Sequence, residues 1–401
     1  MVAGFSVRKG CTMRDAVIVE AVRTPIGKGK PNGALHEVNA VDLLAHSLRE
    51  VVSRSGVDPV LIDDVIGGIV TQVGEQGMNM TRRAALAAGY PESVAATTVD
   101  RQCGSSQQAI HFAAQGVLAG AYDIVVAAGV ESMGRVPMGA NLVGSDDVSG
   151  VGFAERYPEG LVPQGISAEL IAAKWGLNRT QLDEFAIGSH EKAALATKNG
   201  LFTRELAPLN GLYTDEGIRV GSTLDTLAKL RPAFYDEAMS ARFPQIGWEV
   251  TAASASQVSD GSAAVLIMTS ERAKQLGLRP LARLHSFAVA GDDPLLMLTA
   301  VIPSTRKVLQ RAGLQLSDID LFEVNEAFSP VVLAWAQETG ADLAKVNVHG
   351  GAIAIGHPLG ASGARLATTL VHAMQERGAR YGLQTMCEAG GLSNAMILER
   401  L

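Results

Sequence analysis

The stretch "DRQCGSSQQAI" (100–110) places Cys103 where a loop turns into an apolar-striped helix, with Gly104, Ser105 and Ser106 directly behind it. A thiol at a helix start meets free backbone N–H groups and the positive end of the helix dipole. Both favour thiolate, the form that attacks carbonyl carbon. Taken alone, a single cysteine is more often a small core residue, so the rest of the chain must decide. In "VNVHGGAIAIGHPLGASGARL" (346–366), His357 sits among glycines and precedes Pro358, which biases it toward extended backbone. An imidazole held this way can accept a thiol proton or donate to an oxyanion. His349 is an equal candidate by residue type, with a structural role as its bland reading. "TMCEAGG" (385–391) supplies a second thiol, Cys387, ahead of a turn with accessible N–H donors. Such a thiol can move a proton on carbon while those donors hold an oxyanion. In "FEVNEAFSP" (322–330), Asn325 stands between a strand and a helix. It either caps that helix or positions a water or a carbonyl.

Elements able to position these groups are visible in the pattern. Residues 15–20, 62–70, 122–129 and 262–270 read as buried strands, and 41–55 and 105–119 as helices with apolar stripes. Their alternation predicts an α/β fold with a parallel sheet covered on both faces. Residues 134–257, rich in scattered glycine and proline with helical stretches such as 167–199, read as an inserted loop domain. The last third repeats the opening. "SGVDPVLIDDVIGGIV" (55–70) resembles "AGLQLSDIDLFEVNE" (312–326), and the segment from Cys103 to Gly129 resembles that from His357 to Gly391. This duplication would set Cys103 and His357 at corresponding points, each before its own helix.

Bulk composition narrows the function. The 401 residues are 47% hydrophobic and 19% charged, with a formal net charge of −7. That describes a globular protein with a large core and argues against a general nucleic-acid binder. Three cysteines, Cys11, Cys103 and Cys387, cannot form a disulfide framework and suit a reducing compartment. No apolar run is long enough to span a bilayer. The first fifteen residues lack a continuous apolar stretch, so a secretory signal is not expected, Met13 is a possible start, and a cytoplasmic location is. "TPIGKGKPNG" (24–33) departs from the phosphate-loop pattern, and no spacing matches a zinc or nicotinamide site.

Taken together, "AVRTPIGKGKPNGAL", "VDRQCGSSQQAI", "TLDTLAKLRPAF", "SASQVSDGSAAV", "EVNEAFSP", "VHGGAIAIGHPLGASGARL" and "MCEAGG" resemble the thiolase family, in the family's order and over nearly the whole chain. "DRQCGSSQQA" and the C-terminal end look most like actinobacterial thiolases of steroid breakdown. The resemblance implies a duplicated five-layer αβαβα core. One half comprises 14–133 plus 258–280, the inserted CoA-binding loop domain 134–257, and the second half 281–401. It implies thiolytic cleavage of a 3-ketoacyl-CoA to acetyl-CoA and a shortened acyl-CoA, by ping-pong covalent catalysis. Cys103 would be the nucleophile, His357 its base and Cys387 the acid/base on carbon. One oxyanion site would use His357 and a water held by Asn325, and the other the backbone N–H groups of Cys103 and Ala389. By the same resemblance, Arg219 and Thr226 would lie near the nucleotide of CoA and Ser256 near its pantetheine arm. Met297, Ala327 and Phe328 would wall the acyl pocket. The bland readings are packing for Met297 and Phe328 and a solvated charge for Arg219. No bound cofactor or metal is implied; CoA is a co-substrate, and the assembly would be a homodimer or homotetramer.

Three departures mark this chain. Ala389 replaces the first glycine of the usual turn, which threatens to crowd it. Pro163, Gln164 and Gly165 stand where many acetoacetyl-CoA thiolases have histidine, methionine and glycine. Ala300 and Val301 replace a glycine–proline pair. Short-chain specificity is therefore open, and a biosynthetic acetoacetyl-CoA thiolase remains the near alternative. A cysteine hydrolase and an inactive CoA-binding scaffold are the alternatives of other classes.

Overall fold

The computed structural model describes residues 14–401. Cys11 and the expectations about the start of the chain lie outside them. Ten strands among the described residues join one hydrogen-bonded sheet: β1 (Val17–Arg23), β2 (Gly27–Lys28), β3 (Asp64–Gly68), β4 (Ala95–Val99), β5 (Ile124–Ser132), β6 (Ser259–Met268), β7 (Ala282–Gly291), β8 (Leu321–Val324), β9 (Tyr381–Glu388) and β10 (Leu392–Arg400). The order is β4-β3-β5-β6-β1-β7-β10-β9-β8, with β2 beside β6. The two halves of this path meet only where Val17 and Ile18 of β1 pair with Arg283 and Ala282 of β7.

Contrary to the all-parallel expectation, the sheet is mixed. β3 runs parallel to β4 and β5, and β8 parallel to β9. β6 is antiparallel to both β1 and β5, and β10 to both β7 and β9. Apolar runs buried on both faces look the same in either direction, so the pattern could not tell them apart.

Helices α1 (Ala40–Ser55) and α2 (Met80–Ala87) cover one outer face, and α3 (Ser105–Ala119) the inner face of the same half. The segment between β5 and β6 carries α4 (Val151–Arg156), α5 (Gln164–Trp175), α6 (Arg179–Lys198), α7 (Leu224–Leu227) and α8 (Glu237–Arg242), with α9 (Ser270–Gln275) after β6. In the second half α10 (Val301–Ala312) and α11 (Ser329–Thr339) pack outside. The one-turn α12 (Ala352–Ile355) precedes α13 (Ser362–Arg377), which lies inside against α3. Strand alternation makes the layers. In β1, Val17, Val19 and Val22 face the α1/α2 core, while Ile18 and Ala21 face α3 and α13. The result is five layers, α-sheet-α-sheet-α, with α13 buried at every residue from Ser362 to Met374.

The duplication extends to single hydrogen bonds. Asp63 Oδ2 accepts from the N–H groups of Asp123 and Ile124, leading into β5. Asp320 Oδ2 accepts from those of Arg380 and Tyr381, leading into β9. Each aspartate precedes the strand beside the one it anchors, so each half sets its register with the same carboxylate device.

Candidate active site

Four chain segments converge where α3 begins. Cys103 lies two residues before α3, after Gln102, whose φ of 48° turns the loop inward. Ser105 secures the turn by donating to Gln102 O and accepting from Arg101 N–H. Gly363 of α13 approaches so closely that a Cβ there would sit 2.2 Å from the Gln107 nitrogen. Cys103 packs with Leu359, two residues after His357, and with Met386, one residue before Cys387.

The His357 loop is clasped by the other half. The His357 N–H donates to Gln257 O and Ser259 Oγ, at 3.1 and 3.0 Å. Glu131 of β5 accepts from Gly360 N–H and also from Val70, Thr71 and Gln76. The imidazole Nδ1 lies 2.6 Å from Ser362 Oγ, and that hydroxyl donates to Pro358 O. With its one proton committed there, Ser362 accepts from Nδ1–H, and the ring presents a bare Nε2. Asn325 Nδ2 donates to this Nε2 at 3.4 Å and reaches Cys387 Sγ at 4.0 Å.

Asn325 follows β8 directly, and its N–H bonds to Thr385 O of β9. It does not cap the next helix, because α11 starts at Ser329 with Phe328 at its N-cap. Cys103, Asn325, His357 and Cys387 are 3%, 1%, 4% and 0% exposed. Burial therefore dominates their titration. It lowers His357 to about 3, assisted by the positive charge of Arg365, and pushes Cys387 up to about 12. Cys103 is pushed well up by burial first, then by Cys387 and Glu388. Burial thus opposes the thiolate that the helix start favours. The resting site is a neutral thiol–imidazole–thiol set.

The residues further out are placed unevenly. Met297, Ala327, Phe328 and Cys387 share one buried cluster, and Ser256 N–H donates to Ala327 O beside it. Phe328 meets Phe234 edge to face, and Gly165 gives that second ring its seat. Arg219 is exposed and borders a hollow lined by His190, Ser222, Leu227 and Ala253. Thr226 is exposed and caps α7 together with Thr223. Ala389 is not among the residues with positive φ, whereas Gly390 and Gly391 are, at 85° and 78°, so the alanine methyl does not strain the turn. Ala300 and Val301 start α10, both buried. His349 is held against Glu376 and the Phe202 ring, apart from the thiols. Ser362 and Glu131 escaped the sequence reading. The serine five residues beyond His357 was the available sign for the first; nothing in the sequence marked the second.

A family model for the thiolase N-terminal domain matches residues 16–271, and one for the thiolase C-terminal domain matches 278–400. The chain belongs to the thiolase family and is an acyltransferase of that class. It is 44% identical to the steroid 3-ketoacyl-CoA thiolase FadA6 of Mycobacterium tuberculosis, over 98% of this chain and 96% of the relative. It is also 44% identical to a 3-ketoacyl-CoA thiolase of Aliivibrio fischeri, over 97% and 100%. Among solved structures, the Bacillus anthracis acetyl-CoA acetyltransferase superposes with a TM-score of 0.86 at 37% identity, covering 98% of this chain and 100% of that one. Human mitochondrial 3-ketoacyl-CoA thiolase in complex with CoA superposes at 0.87 and 33%, covering 97% and 98%. No helix among the described residues is long and apolar enough to cross a membrane.

Proposed function

We propose that this thiolase works in the degradative direction, cleaving a 3-ketoacyl-CoA with CoA. The acyl group would be a fatty acyl chain or one derived from a steroid side chain or ring. The observation that carries the reading is the single amide of Asn325 meeting both the bare Nε2 of His357 and the Sγ of Cys387. Cys103 passes its proton to His357 Nε2 as its sulfur attacks the 3-keto carbon. The alkoxide collapses, the C2–C3 bond breaks, and the leaving enolate of acetyl-CoA takes its proton from Cys387. A second CoA gives its thiol proton to the Cys387 thiolate and attacks the acyl-Cys103 thioester. Collapse expels Cys103 as thiolate, which recovers its proton from His357. Both thiols end as they began, and the two exchanges make the cycle ping-pong.

Each intermediate carries an oxyanion and needs preset donors. Asn325 Oδ1, buried without a protein partner among the described residues, is suited to hold a water beside His357. The N–H groups of Cys103 and Ala389 would serve the other oxyanion. Residues 134–257 would bind CoA, through Arg219 and Thr226 at the nucleotide and Ser256 at the pantetheine arm, with Met297, Ala327 and Phe328 walling the acyl pocket. A homodimer or homotetramer and a cytoplasmic location complete the reading. A panel of acetoacetyl-CoA, medium and long 3-ketoacyl-CoAs and ring-derived CoA thioesters tests it. The expected result is CoA-dependent loss of a longer or ring-derived substrate with a higher kcat/KM than acetoacetyl-CoA. Preference for acetoacetyl-CoA would favour the biosynthetic alternative, and free acid formed without CoA would favour a hydrolase.

A further inference from the structure

Glu388 immediately follows Cys387, and strand alternation turns its side chain to the opposite face, toward the Cys103 loop. Its carboxylate lies over Gly104, where a Cβ would come 1.9 Å from Oε1 and 2.8 Å from Asn394 Nδ2. Asn394 Nδ2 in turn holds the Gly104 carbonyl at 2.9 Å. Glu388 is fully buried, and among the described residues neither of its oxygens completes a hydrogen bond, the Asn394 backbone lying near but short of one. An ionised carboxylate left in this state would pay the full cost of desolvation.

The surroundings do little to offset that cost. Arg101 and Asp100 come from the segment before Cys103, Cys103 from the loop itself, and Cys387 from Glu388's own strand. Asn394 of β10 is uncharged. Burial pushes Glu388 up to about 8; the Arg101 guanidinium and the Asn394 backbone offset this only in part, and Asp100 adds to it.

We propose that Glu388 is a positioning residue that supports the Cys103 nucleophile only as the neutral acid: its carboxyl seats Gly104, and loss of its proton sets a negative charge against thiolate formation at Cys103. This rests on Cys103 being the nucleophile. The role is independent of substrate identity, because Glu388 faces the loop and not the acyl pocket. It also accounts for an acidic residue at a place where an anionic intermediate must form.

The test is the pH dependence of kcat between pH 6 and pH 10 for the wild type, E388Q and E388M, with the rate of Cys103 alkylation by iodoacetamide followed in parallel by intact mass. Wild-type kcat should fall above about pH 8. In E388Q and E388M that limb should vanish, raising the ratio of kcat at pH 9 to that at pH 7 by about tenfold relative to wild type, the effect of one titration. The alkylation midpoint of Cys103 should move down by about one pH unit in both variants. A purely packing role would lower kcat by the same factor at every pH, and that outcome overturns the proposal. So does a wild-type profile with no alkaline limb, which needs no variant to fold. Failure of the underlying reading looks different: Cys103→Ala would still form an acyl-enzyme, whatever Glu388 does.

Discussion

The 2.6 Å contact between His357 Nδ1 and Ser362 Oγ decides which ring nitrogen faces the thiols. Because Ser362 spends its proton on Pro358 O, the Nδ1 proton has an acceptor and Nε2 keeps its lone pair. Without that acceptor, the two tautomers compete. Ser362→Ala should lower kcat by about ten- to a hundredfold with little change in KM, the usual scale for losing an orienting partner of a general base. Steady-state kinetics with saturating CoA would check this. An unchanged kcat would show that the Asn325 contact orients the ring unaided.

The two cysteines should fail at different steps. Cys103→Ala should yield no acyl-enzyme, read by intact mass after substrate addition. Cys387→Ala should still accept an acyl group from a simple thioester yet not complete carbon–carbon cleavage. Normal cleavage by Cys387→Ala would remove its assigned role.

Gly363→Ala tests the close approach of α13 to α3. The new methyl would press on the Gln107 nitrogen, a backbone atom that cannot rotate away. A loss of about 1–3 kcal/mol in unfolding free energy is expected, the range for overpacking a tight core. Activity should fall with it, because the Cys103 loop leads directly into α3. Urea denaturation alongside thiolysis rates would measure both.

Stability should peak slightly on the acid side of neutrality. His357 and His111 are lowered to about 3 and His190 to about 4, all chiefly by burial. Between those values and 6.5 the unfolded chain binds more protons, so their contribution is lost as pH falls through that window. Glu323 is raised to about 8 and Glu169 to about 7, again mainly by burial. Their contribution is full below about 4.5 and is lost as pH rises through 7 to 8. Melting temperatures across pH 4 to 9 should therefore pass through a maximum slightly above pH 6. A maximum above pH 8 would contradict the neutral-histidine, protonated-carboxyl core.

Much of this protein was legible in the order of its residues. Cys103 before a striped helix, His357 before proline, Cys387 before a glycine turn and the repeat of two α/β units are local facts, set by backbone preference and apolar periodicity. Strand direction was not legible, because β5 and β6 are apolar on both faces and such runs carry no sign of orientation. Nor was the charge state of the site. The helix start at Cys103 argued for a thiolate, yet desolvation is a property of everything packed around a group, contributed here by Leu359, Met386 and Val70 from remote segments. The tertiary structure alone decided that Asn325 spans an imidazole and a thiol, that Ser362 sets the tautomer, and that Glu388 bears on Gly104. Each depends on distances between residues far apart in the chain or on opposite faces of one strand, and no spacing along a sequence encodes those.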